Sequence, residues 1–258
     1  MPIENLKMPP PSAIAVLHVA LNPVTGPWSV MRDLALAQAR SGRYAAVGLG
    51  VIHSRHWPAN YDVELQSLGL PFFKAGTLDT FGTAQFLWQR LQKPPIGRWA
   101  QELARRSGAG RVIVHFHNAW MSGVYLPLHP RPTVPVRCVA TFHGVNAQLD
   151  GQPLRHHFHR WMAARLPRYG AGMTSVDKSN LPLAESVLGL NPAEFTVIPN
   201  GVADDPESRA PVWTGAGDFT VAHIGSITEP KGWHLAADAV LQLRAEAVKI
   251  RLLIAGAG

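Results

Sequence analysis

Residues 221–240 read VAHIGSITEPKGWHLAADAV. The apolar run that starts at Phe219 and carries through Ile224 is short, partly β-branched and bounded by turn residues, which predicts a strand over 219–224 covered on both faces. Gly225 and Pro230 mark a turn. Lys231 and Gly232 then open an expected helix over about 231–247, and a second strand is expected over 250–255, so the stretch forms one βαβ unit. A lysine is locally unfavourable in a first helical turn, because free backbone N–H groups and the helix dipole make that end positive. A bound phosphate reverses the penalty, and a diphosphate does so more strongly. A solvated Lys231 after a proline turn is the plainer account.

Upstream, residues 203–217 (ADDPESRAPVWTGAG) are rich in Asp, Pro, Gly and Ala and hold no period, which marks a domain boundary. The expected organisation is a first domain over 1–205, a linker over 206–217, and the start of a second domain over 218–258. Within the first domain, strands are expected at 13–20, 45–52, 111–116, 134–142, 172–176 and 195–198. Helices are expected at 29–40, 80–91, 96–107, 154–166 and 180–188. Alternating strands and helices give an α/β fold with a mainly parallel, Rossmann-like sheet. A lone βαβ unit buries too little and leaves a sheet edge unpaired. Its remaining strands are expected from sequence beyond residue 258, from another chain, or to be replaced by packing on the first domain.

The 258 residues are 47% hydrophobic and 16% charged, a composition that supports packed cores and argues against global disorder. No segment approaches the ~20 apolar residues of a membrane-spanning helix. Cys138 is the one cysteine, so intrachain disulfides and cysteine-rich metal sites are excluded, and a cytoplasmic location is expected. The net charge of +7, with pI near 10.0, suits nucleic acid, an anionic membrane or a phosphorylated substrate. The basic residues are dispersed without zinc-finger spacing or a Lys/Arg block, so no nucleic-acid partner is expected. In residues 154–168 (LRHHFHRWMAARLPR), Leu154, Phe158, Trp161 and Met162 fall on one helical face, with Arg155, His156, His159, Arg160 and Arg165 around the remainder. That basic amphipathic helix either packs with a solvated face or docks on an anionic membrane surface, at its inner leaflet.

Several residues could carry chemistry. Gly26, ahead of an expected helix start at Ser29, allows close backbone approach to a ligand or simply makes a tight turn before a serine cap. The loop lacks the G-x-G-x-x-G pattern of a dinucleotide site. His115 and His117 share one strand face, and His143 ends the next strand, at the sheet edge where α/β proteins bind ligands. Three imidazoles could hold a metal, but with no carboxylate motif beside them sugar-hydroxyl binding or structural hydrogen bonding is expected instead. Asn200 and Gly201 form a turn dipeptide that either lines a cleft or only turns the chain.

These stretches together resemble the retaining family 4 glycosyltransferases of GT-B fold. GSITEPKG (225–232) is similar to the start of that family's second domain, and FTVIPNGV (195–202) to the end of its first. NPVTGPWSVMRDLA (22–35) resembles its glycine-bearing loop, and IVHFHNAW (113–120) and ATFHG (140–144) resemble two central strands that end at the cleft. The resemblance implies sugar transfer from a nucleoside diphosphate sugar to a glycan or lipid-linked acceptor, as in polysaccharide biosynthesis, with retention of configuration and without metal or other cofactor. It implies that His143 acts at the reaction centre, that Gly26, Asn200, Gly225, Ser226, Lys231 and Gly232 bind donor, and that Trp28, His117 and Asn118 bind acceptor. Ser226 stands where the family places an arginine, and the family's donor-binding Glu-x7-Glu segment is expected beyond Gly258. A separate donor-domain chain is therefore an expected partner. A non-catalytic acceptor-binding module and a GT-B sugar-nucleotide epimerase are the other two functions considered.

Overall fold

The computed structural model describes residues 13–20, 26–53, 61–76, 93–117, 119–145, 153–201, 219–225, 227 and 229–256. The chain forms two compact units, Met1–Ala203 and Asp204–Gly258. The expected linker over 206–217 and the expected helix over 80–91 lie outside the described residues.

The first unit runs β1 (Ile14–Ala20), α1 (Gly26–Arg40), β2 (Ala46–His53), α2 (Tyr61–Ser67), β3 (Phe72–Gly76), α3 (Ile96–Ser107), β4 (Arg111–Phe116), a 3-10 segment (Ala119–Tyr125), β5 (Val136–Phe142), α4 (Pro153–Arg168), β6 (Gly172–Ser175), α5 (Asn180–Leu188) and β7 (Phe195–Val197). All seven strands join one parallel sheet in the order β3-β2-β1-β4-β5-β6-β7. Strand order reverses between β1 and β4, which makes the gap beyond their C-terminal ends the position where doubly wound sheets bind ligands. β3 and α2 were not expected from the sequence. β3 is a five-residue edge strand, half-exposed along its length, so it shows no long apolar run.

α3 shows why these elements form. Ile96, Trp99, Ala100, Leu103 and Ala104 recur at helical spacing and are all buried, and Gly108 stops the helix in the left-handed conformation at φ 69°. They pack with Leu17, Val19, Val114 and Phe116 in the larger core cluster. Ala20 instead joins Trp28, Met31, Ala35, Leu49 and Val51 in a second cluster beneath α1. Alternation along β1 therefore puts His18, two residues before Ala20, on the α1 face.

Two sequence expectations change here. α1 begins at Gly26 rather than Ser29, so Gly26 is the first helical residue and Ser29 is no cap. In α4 the buried residues are His159, Met162, Ala163, Arg165 and Leu166, whereas Leu154 is 87% exposed. Arg165 donates from Nε to the Gly123 carbonyl at 2.8 Å and from its guanidinium to the Leu126 carbonyl, and it lies 5.0 Å from the ring centroids of Trp161 and Tyr169. The expected division into an apolar and a basic face is thus broken, because a basic side chain is built into the core.

The second unit comprises parallel β8 (Phe219–Ile224) and β9 (Ile250–Ala255), a 3-10 turn (Glu229–Lys231) and α6 (Trp233–Ala245). A side chain on Gly256 would run into the Gly225 carbonyl, so only glycine allows these strand ends to approach. Among its described residues Val240 and Ile250 are the buried hydrophobics, while Ile224 is 82%, Leu235 65% and Leu253 58% exposed.

Candidate functional site

The C-terminal ends of β1, β4 and β5 bring four histidines together. His18 is paired in register with His115 across β1 and β4, His117 follows β4, and His143 follows β5. Ring centroids are 5.1 Å apart for His18 and His115, 5.2 Å for His18 and His117, 4.2 Å for His115 and His117, and 5.5 Å for His117 and His143. His18 and His117 are buried, and His143 is partly exposed.

Hydrogen bonds connect three of these rings to α1 in series. His18 Nε2 lies 2.8 Å from Gln38 Oε1, His18 Nδ1 lies 2.9 Å from His117 Nε2, and His117 Nδ1 lies 3.3 Å from His143 Nε2. His115 branches off, with Nε2 2.6 Å from Thr141 Oγ1, which in turn sits 2.7 Å from Thr174 Oγ1. Burial lowers the His18 imidazole to about 4, against which the Gln38 bond pulls upward. Burial, followed by the neighbouring rings, lowers His115 to about 3 and holds His117 well below the usual range. Burial also lowers His143. Desolvation penalises the charged form, so the group is a set of neutral imidazoles at neutral pH.

Among the described residues, His18, His115 and His117 offer ligand atoms within 4.8 Å of one another, so the trio that could hold a metal includes His18 where the sequence suggested His143. Neutral imidazoles suit zinc or copper. In the observed arrangement both nitrogens of His18 and both of His117 are engaged in the hydrogen-bonded series.

The other candidates are dispersed. Trp28, read as acceptor-binding, is 3% exposed and packs in the core beneath α1 rather than facing a cleft. Asn200 is exposed beyond β7. Lys231 is exposed in the 3-10 turn, and Gly232, at φ 70°, is the residue that caps α6. Neither lies inside the helix, so the expectation that they open its first turn is corrected by two residues. The left-handed glycine is the physical reason, since it breaks the helical path before Trp233. Gly225 follows β8 and donates its N–H to the Ala255 carbonyl at 3.0 Å. Asn118 and Ser226 lie outside the described residues.

His18 and Gln38 escaped the sequence reading. One signal was available for each: a histidine interrupts the apolar run of β1 two residues before its end, and Gln38 follows Met31 and Ala35 at helical spacing on the face that packs against the sheet. Nothing in the sequence says that the two meet.

No family model matches the sequence, and no curated protein matches it. Solved structures do match. A sucrose-phosphate synthase from Thermosynechococcus elongatus aligns over 94% of this chain and 62% of its own length, with TM-score 0.55 and 15% identity. Anabaena HepE, solved in complex with UDP and glucose, aligns over 93% of this chain and 60% of its own, with TM-score 0.54 and 14% identity. The fold is of the GT-B type. A third match, described as a UDP-N-acetylglucosamine 2-epimerase from Listeria monocytogenes, covers 94% of this chain at TM-score 0.49 and 15% identity. The chain spans about three fifths of the length of these GT-B neighbours, at 60% and 62% for the two of highest TM-score here. Within the GT-B architecture, the histidine series occupies the strand-order reversal of the first sheet.

Proposed function

We propose that the protein transfers a sugar from a nucleoside diphosphate sugar to a glycan or lipid-linked acceptor, as a retaining, metal-independent transferase of the family 4 type in polysaccharide biosynthesis. The observation that carries this reading is the partly exposed His143 after β5, next to the strand-order reversal of a GT-B-type sheet and held by a buried polar series. A neutral imidazole there can bind a sugar hydroxyl without adding charge beside a developing oxocarbenium centre. Lys231, exposed next to the start of α6, is the proposed cation for the departing diphosphate, together with the backbone around Gly225 and Gly232. Gly26, Asn200 and Ser226 complete the proposed donor contacts and Asn118 the acceptor side, whereas His117, read from the sequence as acceptor-binding, is buried with both ring nitrogens engaged and acts behind His143. Exposed Arg160 and Arg168 on α4 leave contact with an anionic membrane surface, from the cytoplasmic side, as part of the proposal.

One observation favours a second reading, in which the chain needs a separate donor-domain polypeptide: the apolar side chains of Ile224, Leu235, Leu241, Leu253 and Ile254 are exposed in the βαβ unit. Epimerisation of a free sugar nucleotide is the lesser alternative and would yield product with no acceptor present. The test is release and transfer of sugar from a panel of nucleoside diphosphate sugars, with a membrane extract as acceptor. Turnover that falls on the order of 100-fold in His143→Ala supports the transferase reading. Donor affinity that falls about tenfold in Lys231→Ala, as expected for a lost charge-assisted bond, supports the diphosphate contact. Absence of turnover both alone and with an added GT-B donor domain overturns the reading.

A further inference from the structure

We infer that Gln38 and His18 are positioning residues that set, through His117, which nitrogen of His143 carries the proton, so that His143 offers a lone pair at Nδ1 to a ligand hydroxyl. The direction of the series follows from one atom. Gln38 Oε1 can only accept, so His18 Nε2 is the donor in their 2.8 Å bond. A neutral imidazole has one N–H, which leaves His18 Nδ1 as an acceptor. The 2.9 Å bond to His117 Nε2 is then donated by His117, whose Nδ1 in turn accepts from His143 Nε2 at 3.3 Å. All three rings are Nε2–H tautomers, and the last lone pair in the series is His143 Nδ1. Among the described residues that nitrogen has no hydrogen-bond partner.

Burial keeps the series in this neutral form, because a second proton on His18 or His117 would be a charge in the core with no carboxylate bonded to it. The ligand class at His143 follows: Nδ1 accepts from a hydroxyl and repels a phosphate oxygen. The tautomer assignment stands on the hydrogen-bond geometry, with the Gln38 amide turned so that Oε1 faces His18, and on the burial of the rings; its consequence for sugar recognition rests on the transferase reading.

Gln38 lies on α1, partly exposed and away from His143, so it can be changed without touching the ligand position. The experiment is long-range 1H–15N NMR of the histidine rings in the wild type, Gln38→Glu and Gln38→Lys, with melting curves to confirm folding. Glu keeps an acceptor, and all three rings are expected to stay Nε2–H. Lys supplies only donors, and His18, His117 and His143 are expected to switch together to Nδ1–H. A merely structural Gln38 would shift the melting temperature without inverting a tautomer two rings away. The inference is overturned if the wild-type rings are Nδ1–H, if His18 is unchanged in the Lys variant, or if His18 switches while His143 does not. Tautomers that change when the wild type is treated with a chelator overturn it as well, since a metal would then be holding the rings. This readout needs no turnover. If sugar transfer is observed, Gln38→Lys should lower kcat on the order of tenfold with donor KM unchanged, the loss of about one hydrogen bond to the reacting sugar.

Discussion

The histidine end of the first unit and the βαβ unit differ in how their polar and apolar groups are satisfied. Around His18 and His117, buried polar nitrogens find partners on α1, β1, β4 and the turn after β5, with two apolar clusters packed nearby. In the βαβ unit Val240 and Ile250 are buried, and large side chains on both strands and on the helix face outward. A seven-stranded sheet supplies enough neighbours to bury a polar series at small net cost, whereas two strands and one helix cannot cover even their own leucines. Preorganised chemistry therefore belongs to the first unit, and most of the exposed large apolar side chains among the described residues to the smaller second one.

Acidification should break that contrast most strongly. His18 has its folded pKa lowered from 6.5 to about 4 and His115 from 6.5 to about 3, so between pH 6.5 and those values the unfolded chain binds more protons. Stability is accordingly full above pH 6.5 and falls as pH drops through this window, by about 3 kcal/mol from His18 alone. Urea unfolding of the first unit at pH 7 and pH 4.5 measures it; equal midpoints would mean that the imidazoles are not buried as described.

A packing variant comes next in size. A methyl on Gly123 would run into the Met162 carbonyl of α4, next to the Cβ of Arg165. Gly123→Ala should destabilise the first unit by about 2 kcal/mol, read as a lower urea midpoint with an unchanged slope. In the second unit, Val240→Ala removes one of the few buried side chains and should cost about 1 kcal/mol, with little cavity left in so thin a layer. The smallest effect is expected for Leu253→Ser. At 58% exposure it should change folding stability by less than about 0.5 kcal/mol. If a donor-domain chain covers this surface, the same variant would instead weaken assembly with that chain, which sedimentation would detect.

Some elements were readable to the residue. β4, α3, α5, β8 and β9 coincide with the runs at 111–116, 96–107, 180–188, 219–224 and 250–255, because glycine, proline or a sharp change of period bounds each one. β3 was not readable, since FFKAG is a half-exposed edge strand whose identity comes from pairing with β2. The start of α1 was displaced because a glycine three residues ahead of a serine suggests a turn and a cap, whereas Trp28 is already helical and packs with Met31 and Ala35 against the sheet. His143 and His117 were legible as candidates through strand parity and position at a strand end. Their partners were not, because His18 and Gln38 lie 99 and 79 residues from His117 along the chain.

Local pattern alone determined the α/β class, the parallel sheet and the histidine-bearing strand ends, since alternation and turn chemistry act over a few residues. Strand order decided the rest. Only when β1 lies beside β4 do His18 and His115 come into register, and only when α1 crosses the same face does Gln38 reach His18 and give the series of imidazoles its direction. Those are contacts between residues far apart in sequence, and no local propensity encodes them.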